Sequence, residues 1–377
     1  MKQLYEKRIV NVRKALEKEH LDALLVTDPH NVQYITGFSI GGDERALLLV
    51  ITSDDALALT NSLYEESISQ LPYLSLPAKT DSKRVSDILE EIIQKKKIKA
   101  IGIEYSSLYH DEYERLTKKI STSIKNGSHI IERIRAIKTP DEIKLLTRSA
   151  QATTKLLRTI EQQMVREKGP VTEKNIQQII RTFFFNNPTL TPSFEPIIAI
   201  DSHAAQPHYH DQTSHNWHHS MLIDVGVSRD GYVGDCTRVF FKKHALPTLH
   251  NKRMKDTYQR LLDLQERIID MVRPGMTGGE LHNYAVTELK RHAGRPAALD
   301  AFFTHALGHG VGLSVHELPH ISPLSKEVLQ PNMVFTIEPG LYFSRSFGLR
   351  IEDTVALTDK GAVVLTKFPK RLSSVIY

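Results

Sequence analysis

In MLIDVGVSRDGYVGDCTRVFF (residues 221–241), two aspartates stand where the alternation of a buried hairpin calls for apolar side chains. Asp224 interrupts a run of Met, Leu, Ile and Val, and Asp235 lies between Val233 and Val239, beside Cys236. Ser228-Arg229-Asp230-Gly231 reads as the turn joining two strands. If the turn takes all four residues, Val227 pairs with Tyr232 and Asp224 falls directly opposite Asp235. Paired β-carbons are about 5 Å apart, and like charges there are destabilising. A fold that keeps such a pair has to answer the repulsion with positive charge.

At 377 residues the chain exceeds a comfortable single core, so two domains are expected. A net charge of +5 is small for this length, and Lys95-Lys96-Lys97, the conspicuous basic run, reads as a solvated helix end. No nucleic-acid partner is therefore expected. One cysteine excludes an intrachain disulfide and fits a reducing compartment. MKQLYEKRIVNVRKALEKEH carries charge throughout, without the apolar core of a signal peptide, and no run approaches the roughly 18 apolar residues of a membrane span. The expectation is a soluble, cytoplasmic protein with no membrane partner.

Apolar runs at 22–27, 46–51 and 98–104 read as strands and alternate with helical spacing at 86–97 and 111–120. They predict an α/β domain over 1–132. In KTPDEIKLL, Thr139 as N-cap, Pro140 at the first helical position and Glu142 at the third form a capping box. Behind it Ile143, Leu146, Ala150, Thr153, Leu157, Ile160 and Met164 recur at three- and four-residue steps, so a long helix opens a second domain, 133–377. Further helices fit 172–186, 248–272 and 277–292, with strands at 196–200, 219–227, 232–241, 333–338 and 350–357. Helices alternating with antiparallel hairpins make this half α+β.

Three more stretches carry chemistry: FFTHALGHGVGLSVHELPH (302–320), MVFTIEPGLYF (333–343) and GLRIEDTVAL (348–357). Glu338 and Glu352 face each other if a hairpin centres near Arg345, although Pro339 disturbs the ladder. Taken singly, Asp224 could cap a turn, Asp235 could pair with Arg238, and Glu352 with Arg350. Taken together, two hairpins each place two acids within apolar strands. Four converging carboxylates stay ionised only if cations are present, and two divalent ions balance them.

Asp224, Asp235, His309 in GHGVG, Glu338 in EPG and Glu352 in RIED resemble the dinuclear ligand set of the pita-bread metallopeptidases, which include prolidase, aminopeptidase P and methionine aminopeptidase. The likeness spans essentially the whole chain, and the leading α/β domain resembles the creatinase/prolidase N-terminal domain of the prolidase and aminopeptidase P branch. It implies that Asp224 chelates one metal, that His309 and Glu338 chelate the other, and that Asp235 and Glu352 bridge both. Four carboxylates and one imidazole without thiolate suit Mn²⁺, with Co²⁺ or Zn²⁺ as alternatives. Two such ions supply a nucleophilic hydroxide at neutral pH and polarise a scissile carbonyl, with Glu338 as proton shuttle. By the same likeness His208 in AAQPHY, His316 in SVHE and His305 in THALGH line the substrate pocket, with His208 and His316 catalytic donors. Arg350 matches a position where aminopeptidase P-like members carry arginine. It is equally suited to contacting substrate or neutralising the acids. His210, His215, His218, His219 and His320 are expected at the surface or behind the site, and Cys236 as a packing residue. Two departures from the family, Ser314 and DSHAA (201–205), touch no ligand.

The resemblance implies an exopeptidase cleaving Xaa-Pro bonds at a free N-terminus, acting on proline-containing peptides as a homodimer. Arg350 tips the balance to an aminopeptidase P-like enzyme over the alternative, an Xaa-Pro dipeptidase (prolidase). A peptide-binding relative without ligands and a metal-free creatinase-like hydrolase are disfavoured because all five ligands are present.

Overall fold

The computed structural model describes the chain except residues 1, 40–46, 77–79, 82, 167–168, 244–248 and 292–302. The ends of four expected segments, Ala46, Thr248, His292 and Phe302, lie outside the described residues. Contacts divide the chain into two compact units, Met1–Arg135 and Ala136–Tyr377.

The first unit runs α1 (Lys2–Lys18), β1 (Ala23–Val26), α2 (Pro29–Thr36), β2 (Leu47–Thr52), β3 (Ala56–Thr60), α3 (Ser62–Ser69), α4 (Val85–Lys96), β4 (Ala100–Ile103), α5 (His110–Thr117) and β5 (Ser123–Asn126), with α6 (Ser128–Ala136) closing it. The strands order β3-β2-β1-β4-β5. β1, β4 and β5 are parallel, and β2 is antiparallel to both its neighbours. β1 and β2 are buried along their whole length, which is why they read as unbroken apolar runs. The charged opening segment is a helix as well: Ile9, Val12 and Leu16 bury one stripe beneath its lysines and glutamates. The lysine run ends α4, with Lys97 in the left-handed region at its C-cap.

The second unit opens with α7 (Pro140–Arg166) and its capping box: Thr139 N donates to Glu142 Oε2 at 2.8 Å, and Glu142 N to Thr139 Oγ1 at 3.3 Å. The expected apolar face of α7 is buried apart from Ile143, which is half-buried. Then come α8 (Glu173–Phe185), β6 (Leu190–Pro192), β7 (Ile197–Ile200), β8 (Ser220–Val225), β9 (Val227–Arg229), β10 (Cys236–Phe241), α9 (Leu249–Met271) and α10 (Gly278–Arg291). The last third is β11 (Gly308–Gly310), β12 (Glu317–Ile321), β13 (Val334–Ile337), β14 (Gly340–Phe343), β15 (Phe347–Arg350), β16 (Asp353–Thr358) and β17 (Gly361–Val364). Asp224 lies in a three-stranded sheet β10-β8-β7, His309 in a five-stranded sheet β12-β11-β13-β16-β17, and Arg350 in the two-stranded sheet β14-β15. α9 and α10 contribute Tyr258, Leu261 and Leu281 to the core that includes Phe335 and Ile337 of β13. The molecule is thus α/β followed by α+β. No helix among the described residues is long and apolar enough to cross a membrane.

Candidate metal centre

The first hairpin corrects its expected register. Asp230 and Gly231 take φ of 54° and 81°, and Arg229 pairs with Tyr232 across a two-residue turn. Two consecutive positive φ values give the turn whose twist matches the strands, so Asp-Gly closes the hairpin without Ser228 and Arg229. The strands then pair Cys236 with Val225 and Thr237 with Asp224. Asp224 therefore faces Thr237, and Asp235 stands two residues before Thr237 on the opposite strand, a diagonal rather than a direct neighbour. The wider spacing softens the repulsion without separating the acids. α7 holds the hairpin in place. Ser149 Oγ donates to Tyr232 O at 2.8 Å, and a β-carbon on Gly234 would come within 2.5 Å of Thr153 Oγ1, so the approach requires glycine.

The second hairpin has the expected register. Val334 pairs with Ala356, Ile337 with Asp353, Gly340 with Arg350 and Phe343 with Phe347, one unbroken count about a turn where Arg345 has φ 58°. Glu338 and Glu352 fall opposite each other in the gap between the two ladders. β11 pairs Gly310 with Phe335 of β13, which brings His309 alongside. His309 Nε2 lies 3.2 Å from Glu338 Oε1 and 3.7 Å from Asp235 Oδ2. Thr336 ties the group together, accepting from His309 N and donating to Glu338 Oε1, each at 3.1 Å.

Neither ordinary ion-pair reading of the acids holds. Arg238 pairs with Asp353 at 2.6 Å rather than with Asp235, and Arg350 with Asp224 at 2.6 Å rather than with Glu352. Asp235, His309 and Glu352 each present a ligand atom, and these atoms lie within 4.8 Å of one another. Burial, then the neighbouring acids, pushes the carboxyls of Asp235 and Glu352 well above the ordinary range. Burial acts the same way on Glu338, but the hydrogen bond from His309 overcomes it and brings Glu338 down to about 2. Burial opposes the charge on His309, yet Glu338 raises it to about 9. Asp224 Oδ1 and Asp235 Oδ1 are buried with no hydrogen-bond partner. Buried carboxylate oxygens without donors are costly, and a cation is what relieves them. An oxygen-rich cluster with one imidazole and no thiolate fits divalent metal ions.

The acids open on a cavity of about 480 Å³ that is also lined by His208, His305, His316 and Arg350. All nine residues singled out from sequence thus reach one space. The His316 ring stands edge-on to that of His309, with centroids 4.3 Å apart. His305 has both ring nitrogens engaged, Nδ1 with Ala306 O at 2.7 Å and Nε2 with Tyr342 OH at 2.9 Å. Ala306 O can only accept, so Nδ1 carries a proton, and burial lowers the pKa of the ring. Arg350 donates to Asp224, to Tyr342 OH at 2.7 Å, to Thr237 Oγ1 at 3.1 Å and to Pro207 O at 3.2 Å. His210 and His320 line the cavity too, against the expectation that they lie elsewhere. His215 and His218 do not; they continue a ring-to-ring row from His203, with centroids 4.9 and 5.8 Å apart. Cys236 is buried packing. In the DSHAA turn Asp201 takes φ 54° and accepts from the backbone N–H of His218, His219 and Ser220, the left-handed role that a Gly-Asn-like turn would fill.

Sequence reasoning missed Tyr342 and Thr237. Thr237 Oγ1 donates to Glu352 Oε2 at 2.6 Å, and Tyr342 OH joins Arg350 to His305. Tyr342 sits four residues beyond Glu338 in an apolar strand, and only its hydroxyl hints at a polar neighbour.

The metallopeptidase family M24 model matches residues 144–359, and the creatinase/prolidase N-terminal domain model matches residues 8–137. An Xaa-Pro dipeptidase of Pyrococcus furiosus is 29% identical over 373 residues, covering 97% of this chain and 99% of its own. The solved Xaa-Pro dipeptidase from Bacillus anthracis superposes with a TM-score of 0.85 at 25% identity, covering 99% of this chain and all of its own. The X-Pro aminopeptidase from Thermotoga maritima gives 0.82 at 25% identity, covering 98% of this chain and 99% of its own.

Proposed function

The chain belongs to metallopeptidase family M24, and on that premise we propose that it is an Xaa-Pro dipeptidase. This is the alternative of the sequence reading, ahead of its aminopeptidase P-like form. The carrying observation is the convergence of three buried acids, the part-buried Glu338 and His309 on one cavity, with two carboxylate oxygens lacking any donor. Two of the similar proteins reported above are named for dipeptide substrates. The aminopeptidase P-like reading rested on Arg350, whose guanidinium commits four of its five N–H groups within the protein.

Asp224, Asp235, His309, Glu338 and Glu352 would hold two divalent ions, Mn²⁺ before Co²⁺ or Zn²⁺, with Asp235 and Glu352 as the shared ligands. Such ions supply Lewis acidity toward the peptide carbonyl and an acidified water. Glu338 would carry the proton to the departing proline nitrogen. His208 and His316 would donate to the substrate carbonyl, while His305, held by Tyr342, would wall the proline ring. Arg350 would orient Asp224 through its 2.6 Å bond. A homodimer in the cytoplasm completes the reading. The family resemblance supports the dimer, which sedimentation equilibrium reads directly. The lone, buried cysteine supports the location.

The deciding assay compares Ala-Pro, Ala-Pro-Ala and Ala-Ala with Mn²⁺ present. Ala-Pro should be cleaved best, with the dipeptide lacking proline slower by at least about tenfold in kcat/KM, roughly 1.4 kcal/mol. Faster cleavage of the tripeptide would restore the aminopeptidase reading, and equal rates on Ala-Ala would end the proline assignment.

A further inference from the structure

Glu173, the first residue of α8, is fully buried. Its Oε1 accepts from Ile200 N at 3.0 Å and His203 Nδ1 at 2.8 Å. Its Oε2 accepts from Thr213 Oγ1 at 2.6 Å, Thr213 N at 3.0 Å and Tyr209 OH at 3.3 Å. Five donors on one carboxylate all come from the segment 200–213. That segment delivers His208 and His210 to the cavity. Tyr209, between them, is buried and stacks on His203 with centroids 4.7 Å apart. On the other side Pro207 O is held by Arg350, which grips Asp224.

We propose that Glu173 is a positioning residue for His208, fixing the imidazole against the cavity by anchoring Tyr209 and Thr213. The proposal rests on the peptidase reading above. Charge and shape both matter. In a glutamine, one of the two oxygens becomes an NH₂ group, and on either side it would meet a backbone N–H that can only donate, Ile200 on one and Thr213 on the other. No orientation of the amide keeps all five bonds.

The test puts Glu173→Gln into the wild-type and His208→Ala backgrounds of the full chain. Ala-Pro turnover with Mn²⁺, metal content and amide exchange of 200–213, with and without Mn²⁺, are followed. Expected is a loss of about tenfold or more in kcat/KM, chiefly in kcat, where His208 is present, and less than about twofold where it is already alanine. Metal content stays unchanged, and exchange across 200–213 accelerates. Equal losses in both backgrounds, no loss where His208 is present, or unchanged exchange would each overturn the proposal. If Glu173→Gln does not fold, Tyr209→Phe removes one of the five bonds, and the same contrast between backgrounds decides at smaller size. A wild-type chain inert toward Ala-Pro sinks the peptidase reading instead, while the exchange data still judge the anchor.

Discussion

Both units bury carboxylates, and Glu104 of the first is treated in the opposite way to the acid cluster of the second, where Glu173 is donor-rich in its turn. In the first unit Glu104 is fully buried and meets donors: Thr27 N at 2.7 Å, Asp28 N at 2.8 Å and Asn31 Nδ2 at 2.7 Å. In the second, Asp224, Asp235, Glu338 and Glu352 crowd one another, and two of their oxygens find no donor. A buried acid surrounded by N–H groups is a structural joint. Buried acids surrounded by acids are an unfinished site that a cation completes. Burial is common to both, so burial alone does not mark function; the supply of donors does.

Asp235→Asn and Glu352→Gln sharpen this contrast most. Each should lower turnover of Ala-Pro by at least about a thousandfold, some 4 kcal/mol of barrier, and reduce bound metal below two ions per chain in elemental analysis. Retained activity with both ions would break the dinuclear reading. Chelation comes next. An ion at a hundredfold its Kd adds about 2.7 kcal/mol, so stripping it should lower Tm and Mn²⁺ should restore it. Amide protection should fall in β8 and β10 and persist at Thr27 and Asp28, and equal loss at both places would erase the distinction between the units. His208→Ala and His316→Ala should cost about a hundredfold in kcat/KM with both ions retained, whereas His309→Ala should lose metal. Metal loss from His316→Ala would reverse the roles assigned within GHGVGLSVHE.

The smallest effect lies in the first unit. Glu104→Gln sets an NH₂ group against donors and should cost about 1–3 kcal/mol of local stability, read by amide exchange in β1 and β4, with metal content and turnover unchanged. Burial outweighs the three donors and pushes the Glu104 carboxyl up to about 8. A carboxyl that binds its proton more tightly when folded contributes stability that is complete below its unfolded pKa, about 4.3, and is lost as pH rises through the folded value. Protection in the wild-type chain should therefore fall between about pH 5 and about pH 8 relative to the Glu104→Gln variant. A rise over that range would mean that the donors win.

Local rules made much of the molecule legible. Thr139-Pro140 and the stripe behind them gave α7, and the spacing about Arg345 gave the true register of Glu338 and Glu352, because a period of two leaves little freedom once both strands are buried. The same rule survived an error in the first hairpin. Counting four turn residues instead of two moved each partner by two residues, yet kept Asp224 and Asp235 on one face, since the shift was even. The opening helix α1 was passed over because charge hid its narrow apolar stripe.

The sequence by itself singled out side chains that the fold gathers on one cavity: acids inside apolar strands are costly enough that their presence there calls for a reason. Only the tertiary structure decided who partners whom. Arg350 is two residues from Glu352 but bonds Asp224, 126 positions away, and Glu173 holds a loop that begins 27 residues downstream. Long-range pairs are set by how sheets and helices stack, and two equally plausible partners for a charge differ in no local pattern. His210 and His320 line the cavity for the same reason. A loop's direction is fixed by the buried carboxylate that anchors it and not by its own composition.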